Sequence, residues 1–188
     1  MAYSQFGQDD YALMFFSAKR NGYFVDVGAC VPRYLSNTYL LESGYGWDGL
    51  LIEGNTEHCA QLEADRSSRC VNSYVSVAGG PQELTVVDGV FDSLFFTDRS
   101  EIKKTVQTRP LIDILDENNA PRDVDFLSLD VEGIEGEIIE NFDFSKYIFR
   151  LITVEANLRG EKIEKVLTKN GYRFMQWLGE DMLFSYQG

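Results

Sequence analysis

Basic residues are scarce. Seventeen Lys and Arg stand against thirty Asp and Glu in 188 residues, a formal net charge of −13 at pH 7. A surface this acidic repels a phosphate backbone and an anionic lipid face, which argues against nucleic-acid and membrane partners. No apolar run approaches the roughly 18 residues that span a bilayer. Residues 1–8 are polar and lack the basic-then-apolar order of a secretory signal. Histidine occurs once, at His58, and the four prolines are scattered. Cysteine occurs three times, at Cys30, Cys59 and Cys70, an odd and widely spaced set. That pattern is neither a disulfide framework nor a zinc knuckle. The absences point to a soluble protein of a reducing, cytoplasmic compartment. No repeat or linker divides the chain, so residues 1–188 read as a single domain, whole or cut from a longer protein.

Short apolar runs are plentiful. Tyr23-Phe24-Val25-Asp26-Val27-Gly28, Asp48 to Glu53, Val124 to Asp130 and Phe149 to Glu155 each read as a buried strand. Val71 to Val77 is weaker, and Leu84 to Val87 is a short extra strand. Tyr172 to Leu178 and Met182 to Tyr186 read as a closing pair. Helical spacing appears between them, over Asp9 to Arg20, Asn37 to Ser43 and Thr56 to Asp65. It recurs at Ile134, Ile138 and Phe142, and again at Ile163, Val166 and Leu167. Arg99 to Pro110 reads as a loop. Strand–helix alternation with apolar strands predicts an α/β fold, a parallel sheet with helices on both faces.

Ligands of such sheets bind beyond the carboxyl ends of the strands. Four carboxylates fall there: Asp26 near the end of the first strand, then Glu53, Asp130 and Glu155 ending later ones. Gly28 directly after an apolar strand permits a tight turn and close backbone approach. It stands alone, without the G-x-G-x-x-G of dinucleotide enzymes. An acidic residue at the position of Glu53 commonly accepts hydrogen bonds from ribose hydroxyls. Ser128 and Asp130 share one face of their strand by the two-residue period. Glu132 suits the first turn of the next helix. Glu155 and Asn157, two apart, join Asp130 as candidate oxygen ligands for Mg²⁺ or Mn²⁺, or orient a hydroxyl substrate. His58 beside Cys59 on a helix cannot share a metal with it. Residues 91–96 offer aromatic rings to cap an adenine.

The chain resembles the FkbM-type S-adenosylmethionine (SAM)-dependent methyltransferases. The matching segments are Ser4 to Asp9, Gly22 to Ala29, Leu35 to Thr38, Gly46 to Asn55, Asp125 to Gly133 and Ile152 to Glu155. The resemblance implies a Rossmann-like, seven-stranded methyltransferase sheet, mostly parallel. It implies SAM as cofactor and O-methylation of a small-molecule or glycan hydroxyl. Carried over by position, Asp26 and Gly28 line the methionine side of SAM, with Ala29 a further cofactor-binding candidate. Glu53 holds the ribose and Ser76 lies near the adenine. Gln5 and Asp9 belong to the N-terminal signature and help close the site, and Asn37 is a further cofactor-binding candidate. Asp130 and Glu155 are the candidate catalytic residues, with Asp130 as the leading base or metal ligand. One departure stands out. Pro32 replaces a glycine usual in the family, removing an N–H, and Arg33 beside it offers a charge instead. A SAM- or nucleotide-binding module without catalysis, or a scaffold domain of a glycan-assembly protein, is the alternative.

Overall fold

The computed structural model describes residues 3–87, 101–131, 133–156 and 160–188. Among them the chain runs α1 (Gln8–Phe15), β1 (Tyr23–Val27), α2 (Tyr39–Tyr45), β2 (Asp48–Glu53), α3 (Thr56–Asp65), β3 (Arg69–Asn72), β4 (Tyr74–Val75) and β5 (Gly80–Val87). It continues through β6 (Glu101–Arg109), α4 (Leu111–Glu117), β7 (Asp123–Leu129), α5 (Glu135–Asn141), β8 (Ile148–Glu155), α6 (Gly160–Lys169), β9 (Tyr172–Leu178) and β10 (Asp181–Tyr186).

Seven strands form the central sheet in the order β3-β2-β1-β7-β8-β10-β9. Every pairing from β3 to β8 is parallel; β10 runs antiparallel to both its neighbours. The two-residue period divides the strand residues between two cores. Val25, Val27, Leu50, Ile52, Leu127, Leu129, Ile152 and Val154 face one core with α4, α5 and α6. Phe24, Leu51, Phe126, Leu151 and Leu183 face the other, with α1, α2 and α3. This is the expected α/β sheet, mostly parallel and covered on both faces.

Local chemistry explains the helix ends. The Asn55 side chain accepts from the Glu57 and His58 N–H groups and so caps α3. Helix α1 ends at Phe15, short of the expected Arg20, because Ser17 and Ala18 adopt left-handed backbone.

Two expectations are corrected and one element is added. The segment read as a loop around residues 99–110 contains β6, which pairs antiparallel with β5 along eight residue positions from Gly80 to Val87. Its run Glu101-Ile102-Lys103-Lys104-Thr105 carries charge, and pairing with a distant strand overrides that weak local signal. The weak strand at 71–77 is two: β3 completes the central sheet, whereas β4 turns away to pair with β6. Helix α4 was not anticipated; its apolar residues Leu111, Ile114 and Leu115 are buried against the sheet.

Candidate active site

Strand register assembles the site. It sets Asp26 beside Ser128, Ser128 beside Thr153, and Glu155 beside Asp181. Val27 lies beside Ile52 and Leu129, and Leu129 beside Val154. One residue further along, the same register places Glu53, Gly28, Asp130 and Glu155 in one row at the carboxyl rim, with Asp181 closing it. Asp26, Ser128 and Thr153 form the row two residues beneath it. Of the four carboxylates expected at the rim, Glu53, Asp130 and Glu155 share it, whereas Asp26 lies two residues back along β1.

Gly28 is required by its neighbour. Its φ is +83°, and a Cβ there would lie on the Asp130 carbonyl oxygen. The Asp130 N–H donates to the Val27 carbonyl at 3.0 Å, so the ends of β1 and β7 are sewn together at this point. The Gly28 N–H donates to the Ile52 carbonyl at 2.9 Å, which joins β2 to the same junction.

Asp26 is buried beneath the rim and accepts a 2.6 Å hydrogen bond from the Thr38 hydroxyl. Burial raises its pKa above the ordinary carboxylate value, against the opposing pull of Thr38, Arg66 and Ser128. Asn37 donates to the Ser128 hydroxyl at 3.0 Å, while its buried side-chain oxygen has no hydrogen-bond partner. A buried, unpaired carbonyl oxygen calls for a donor. Ala29 is buried at the same turn.

Glu53 accepts from the Cys30 N–H at 2.8 Å and the Asn55 N–H at 2.6 Å. One carboxylate thereby ties the loop after β1 to the turn after β2. Burial raises its pKa; those two N–H groups and nearby His58 oppose the rise, and Asp26 adds to it. Each carboxylate oxygen keeps a further lone pair for a ligand.

The loop carrying Pro32 is clamped by Arg66, whose side chain is fully buried. Arg66 pairs with Glu42 at 3.0 Å and donates to the Pro32 carbonyl, the Ser36 hydroxyl and the Thr38 hydroxyl. Arg66 to Thr38 to Asp26 is therefore one continuous chain. Arg33 is engaged elsewhere, in a bidentate pair with Asp65.

The other expected cofactor residues are placed differently. Asp9 is buried, and its carboxylate accepts from the Tyr3 N–H and the Ser4 hydroxyl. It folds the N-terminal segment upon itself. Gln5 is exposed on that segment. Ser76 is buried beside β6, with its hydroxyl bonded to Thr108 and accepting from the Gly79 N–H. Asn157, Glu132 and residues 91–96 lie outside the described residues.

Two residues escaped the sequence reading. Glu135, at the start of α5, is buried and accepts from the Val131 and Gly133 N–H groups. One oxygen each from Asp130, Glu135 and Glu155 lies within 4.8 Å of the others. Asp181 is the second. Its carboxylate accepts from Gln8 at 2.9 Å and Thr153 at 3.0 Å, anchoring α1 to the sheet. A turn-region Asp carries no signal that it will face the end of a distant strand.

Burial raises the Asp181 pKa, with Gln8 and Thr153 pulling it down and Glu180 adding to the rise. A raised folded-state pKa means this group favours folding below the ordinary value of about 4, and that contribution is lost as pH climbs through the raised value. Asp181→Asn is therefore expected to melt higher than wild type at pH 7. The gap should close as pH falls toward about 4. A pH-independent difference in melting temperature would refute this reading.

Residues 26–174 match the family described as the methyltransferase FkbM domain. The chain belongs to the FkbM methyltransferase family. The matched span takes in Asp26, Gly28, Glu53, Asp130, Glu135 and Glu155, while Asp9 and Asp181 lie outside it. Comparison with curated proteins gave no match. A precorrin-6y C5,15-methyltransferase from Geobacter metallireducens GS-15 is similar in structure, at a TM-score of 0.54 and 12% identity. That likeness covers 96% of this chain and 87% of the other. A TehB-like SAM-dependent methyltransferase from Corynebacterium glutamicum gives a TM-score of 0.49 and 14% identity over 98% of this chain and 89% of its own. At 12% identity the first likeness speaks for the fold, a Rossmann-like methyltransferase sheet. Membership of the FkbM family implies SAM as the methyl donor. Among the described residues of this FkbM methyltransferase, no helix is long and apolar enough to cross a membrane.

Proposed function

We propose that this FkbM methyltransferase transfers a methyl group from SAM to a hydroxyl of a sugar or other small molecule, with Asp130 activating the acceptor. The observation that carries the reading is the convergence of Asp130, Glu135 and Glu155 at the rim, next to the Gly28 junction. SAM, when bound, supplies an electrophilic methyl on a sulfonium. An alcohol is a poor nucleophile until its proton is removed. Asp130 takes up that proton from an acceptor oxygen held in line. Glu155 orients the same hydroxyl from the adjacent strand. The sugar class rests on the resemblance noted in the sequence.

The residues present fit SAM. The unpaired oxygen of Asn37 offers an acceptor where the methionine portion would lie, alongside Asp26, Gly28 and Ala29. Glu53 offers its remaining lone pairs to the ribose hydroxyls. Ser76 would sit toward the adenine, and Gln5 and Asp9 would act by holding the N-terminal segment over the site. Glu53→Gln is expected to weaken SAM by about 1–3 kcal/mol, the scale for losing a charged hydrogen-bond partner. Calorimetric titration checks this, and unchanged affinity would refute the assignment.

The trio also fits a divalent ion. Three carboxylate oxygens without a thiol suit Mg²⁺ or Mn²⁺ rather than zinc. Asp130, Glu135 and Glu155 would hold it, with Asn157 as the expected fourth donor, and it would lower the pKa of a bound hydroxyl. The deciding experiment is methyl release from SAM with a panel of hydroxylated sugars, run with and without exhaustive chelation. Methyl transfer lost on chelation and restored by Mg²⁺ supports the ion. Transfer that survives leaves Asp130 as the base. SAM binding with no transfer to any acceptor would favour a binding module.

A further inference from the structure

All three cysteines lie near the turn that carries Glu53, and two of them touch. Cys59, on the first turns of α3, and Cys70, in β3, bring their sulfurs to 2.7 Å. No disulfide joins them in this structure. Both are buried, at 3% and 9% exposure. Two sulfurs this close are in direct contact, although the separation is still longer than a disulfide bond of about 2.05 Å. The elements that carry them are held independently of the contact. Cys70 pairs with Leu51 in the β2–β3 register, and the Cys59 N–H donates to the Asn55 carbonyl in the capped turn of α3. Cys30 is set apart, half-buried, with its sulfur 3.8 Å from the His58 ring nitrogen.

We propose that Cys59 and Cys70 are a disulfide-forming pair that locks α3 onto β3, with Cys30 left outside the linkage. The oxidant is a small-molecule disulfide of the glutathione class. One protein thiolate attacks a sulfur of that disulfide, expelling one small thiol and leaving a mixed disulfide. The second protein thiolate then attacks the protein sulfur of the mixed disulfide and expels the second small thiol. The two cysteines lose two electrons and two protons, and one small disulfide becomes two thiols. Burial raises the pKa of both cysteines, which slows the attack in the closed fold. Exchange therefore proceeds as α3 opens locally. The bond closes a short loop, the eleven-residue separation from 59 to 70. Such a loop narrows the unfolded ensemble and so favours the folded chain.

The test uses the full chain equilibrated in oxidised and reduced glutathione, quenched with acid, alkylated and mapped by mass spectrometry. Expected is a loss of two hydrogens, one alkylated cysteine at Cys30, and a linked peptide containing Cys59 and Cys70. Excess reductant should restore three alkylated cysteines and lower the melting temperature by several degrees. A Cys30→Ala chain should form the same linkage. Three alkylated cysteines throughout, glutathione held on Cys30 alone, or any linkage that includes Cys30 would overturn the proposal. The wild-type chain supplies this answer by itself, so it does not depend on Cys59→Ser or Cys70→Ser folding.

Discussion

Asp130→Asn is expected to lower turnover by about 10²–10⁴-fold, the usual contribution of a positioned general base. An amide takes up no proton, so the acceptor hydroxyl stays protonated as it attacks. An amide is also a weaker ligand than a carboxylate, so the loss is expected with or without a divalent ion. SAM affinity should hold. The groups proposed to bind SAM come from β1, β2, the loop that carries Asn37, Ser76 and the N-terminal segment, and the Asp130 side chain faces Glu135 and Glu155 instead. The backbone junction with Gly28 uses the Asp130 carbonyl and N–H, both of which the substitution retains. Turnover and SAM titration should therefore separate: a collapse of methyl transfer with unchanged binding. An active Asp130→Asn chain would exclude both the base and the ligand role. Loss of SAM binding would show that Asp130 serves the fold or the cofactor instead.

Arg66→Ala is expected to destabilise the fold by about 3–5 kcal/mol, the cost of stripping one partner from a buried ion pair. Arg66 is fully buried and Glu42 nearly so, and their pair is met at 3.0 Å. Removing the guanidinium leaves the buried Glu42 charge without its countercharge, held by hydrogen bonds from Ser67 and Ser68 alone among those described. It also frees the Pro32 carbonyl, the Ser36 hydroxyl and the Thr38 hydroxyl. A folded domain is stable by about 5–15 kcal/mol in all, so this one change removes a large share. The double change Arg66→Met with Glu42→Leu should recover much of the loss, because no buried charge is then left alone. Denaturant unfolding measures both. A loss under about 1 kcal/mol, the scale of an exposed pair, would show that Arg66 is more solvated than the structure has it. A second effect follows from position. The loop from Cys30 to Thr38 carries Asn37 and reaches Asp26 through Thr38, so SAM affinity should fall with stability.

Much of the site was legible because its signals are local. A carboxylate at the end of an apolar run, as at Glu53, Asp130 and Glu155, marks a strand end within six or seven residues of sequence. Ser128 and Asp130 share a face by the strand period alone. Gly28 was read as a turn that approaches a ligand. The structure adds that a Cβ there would collide with the Asp130 carbonyl, a contact between residues 28 and 130 that local reading cannot supply. Glu135 was passed over because an acidic residue in a first helical turn is ordinary. Its side chain turns back to the Val131 and Gly133 N–H groups and so reaches the rim. Arg66 was invisible, since nothing in its neighbours distinguishes a buried arginine from a surface one.

The sequence by itself determined the class of fold, the strands that compose most of the sheet, the rim that carries the candidate site and the family. Apolar periodicity and strand-end chemistry are written within a few residues of each other. Tertiary structure alone decided which distant groups meet. Gln8 and Asp181, 173 positions apart, join the first helix to the last strand. Strand β6 exists because β5 offers it a ladder, and Cys59 meets Cys70 because a helix returns across the strand that follows it. Pairings of this kind depend on strand order and register. Those are settled by the joint burial of the two sheet faces, a property of the whole chain that no short stretch of it contains.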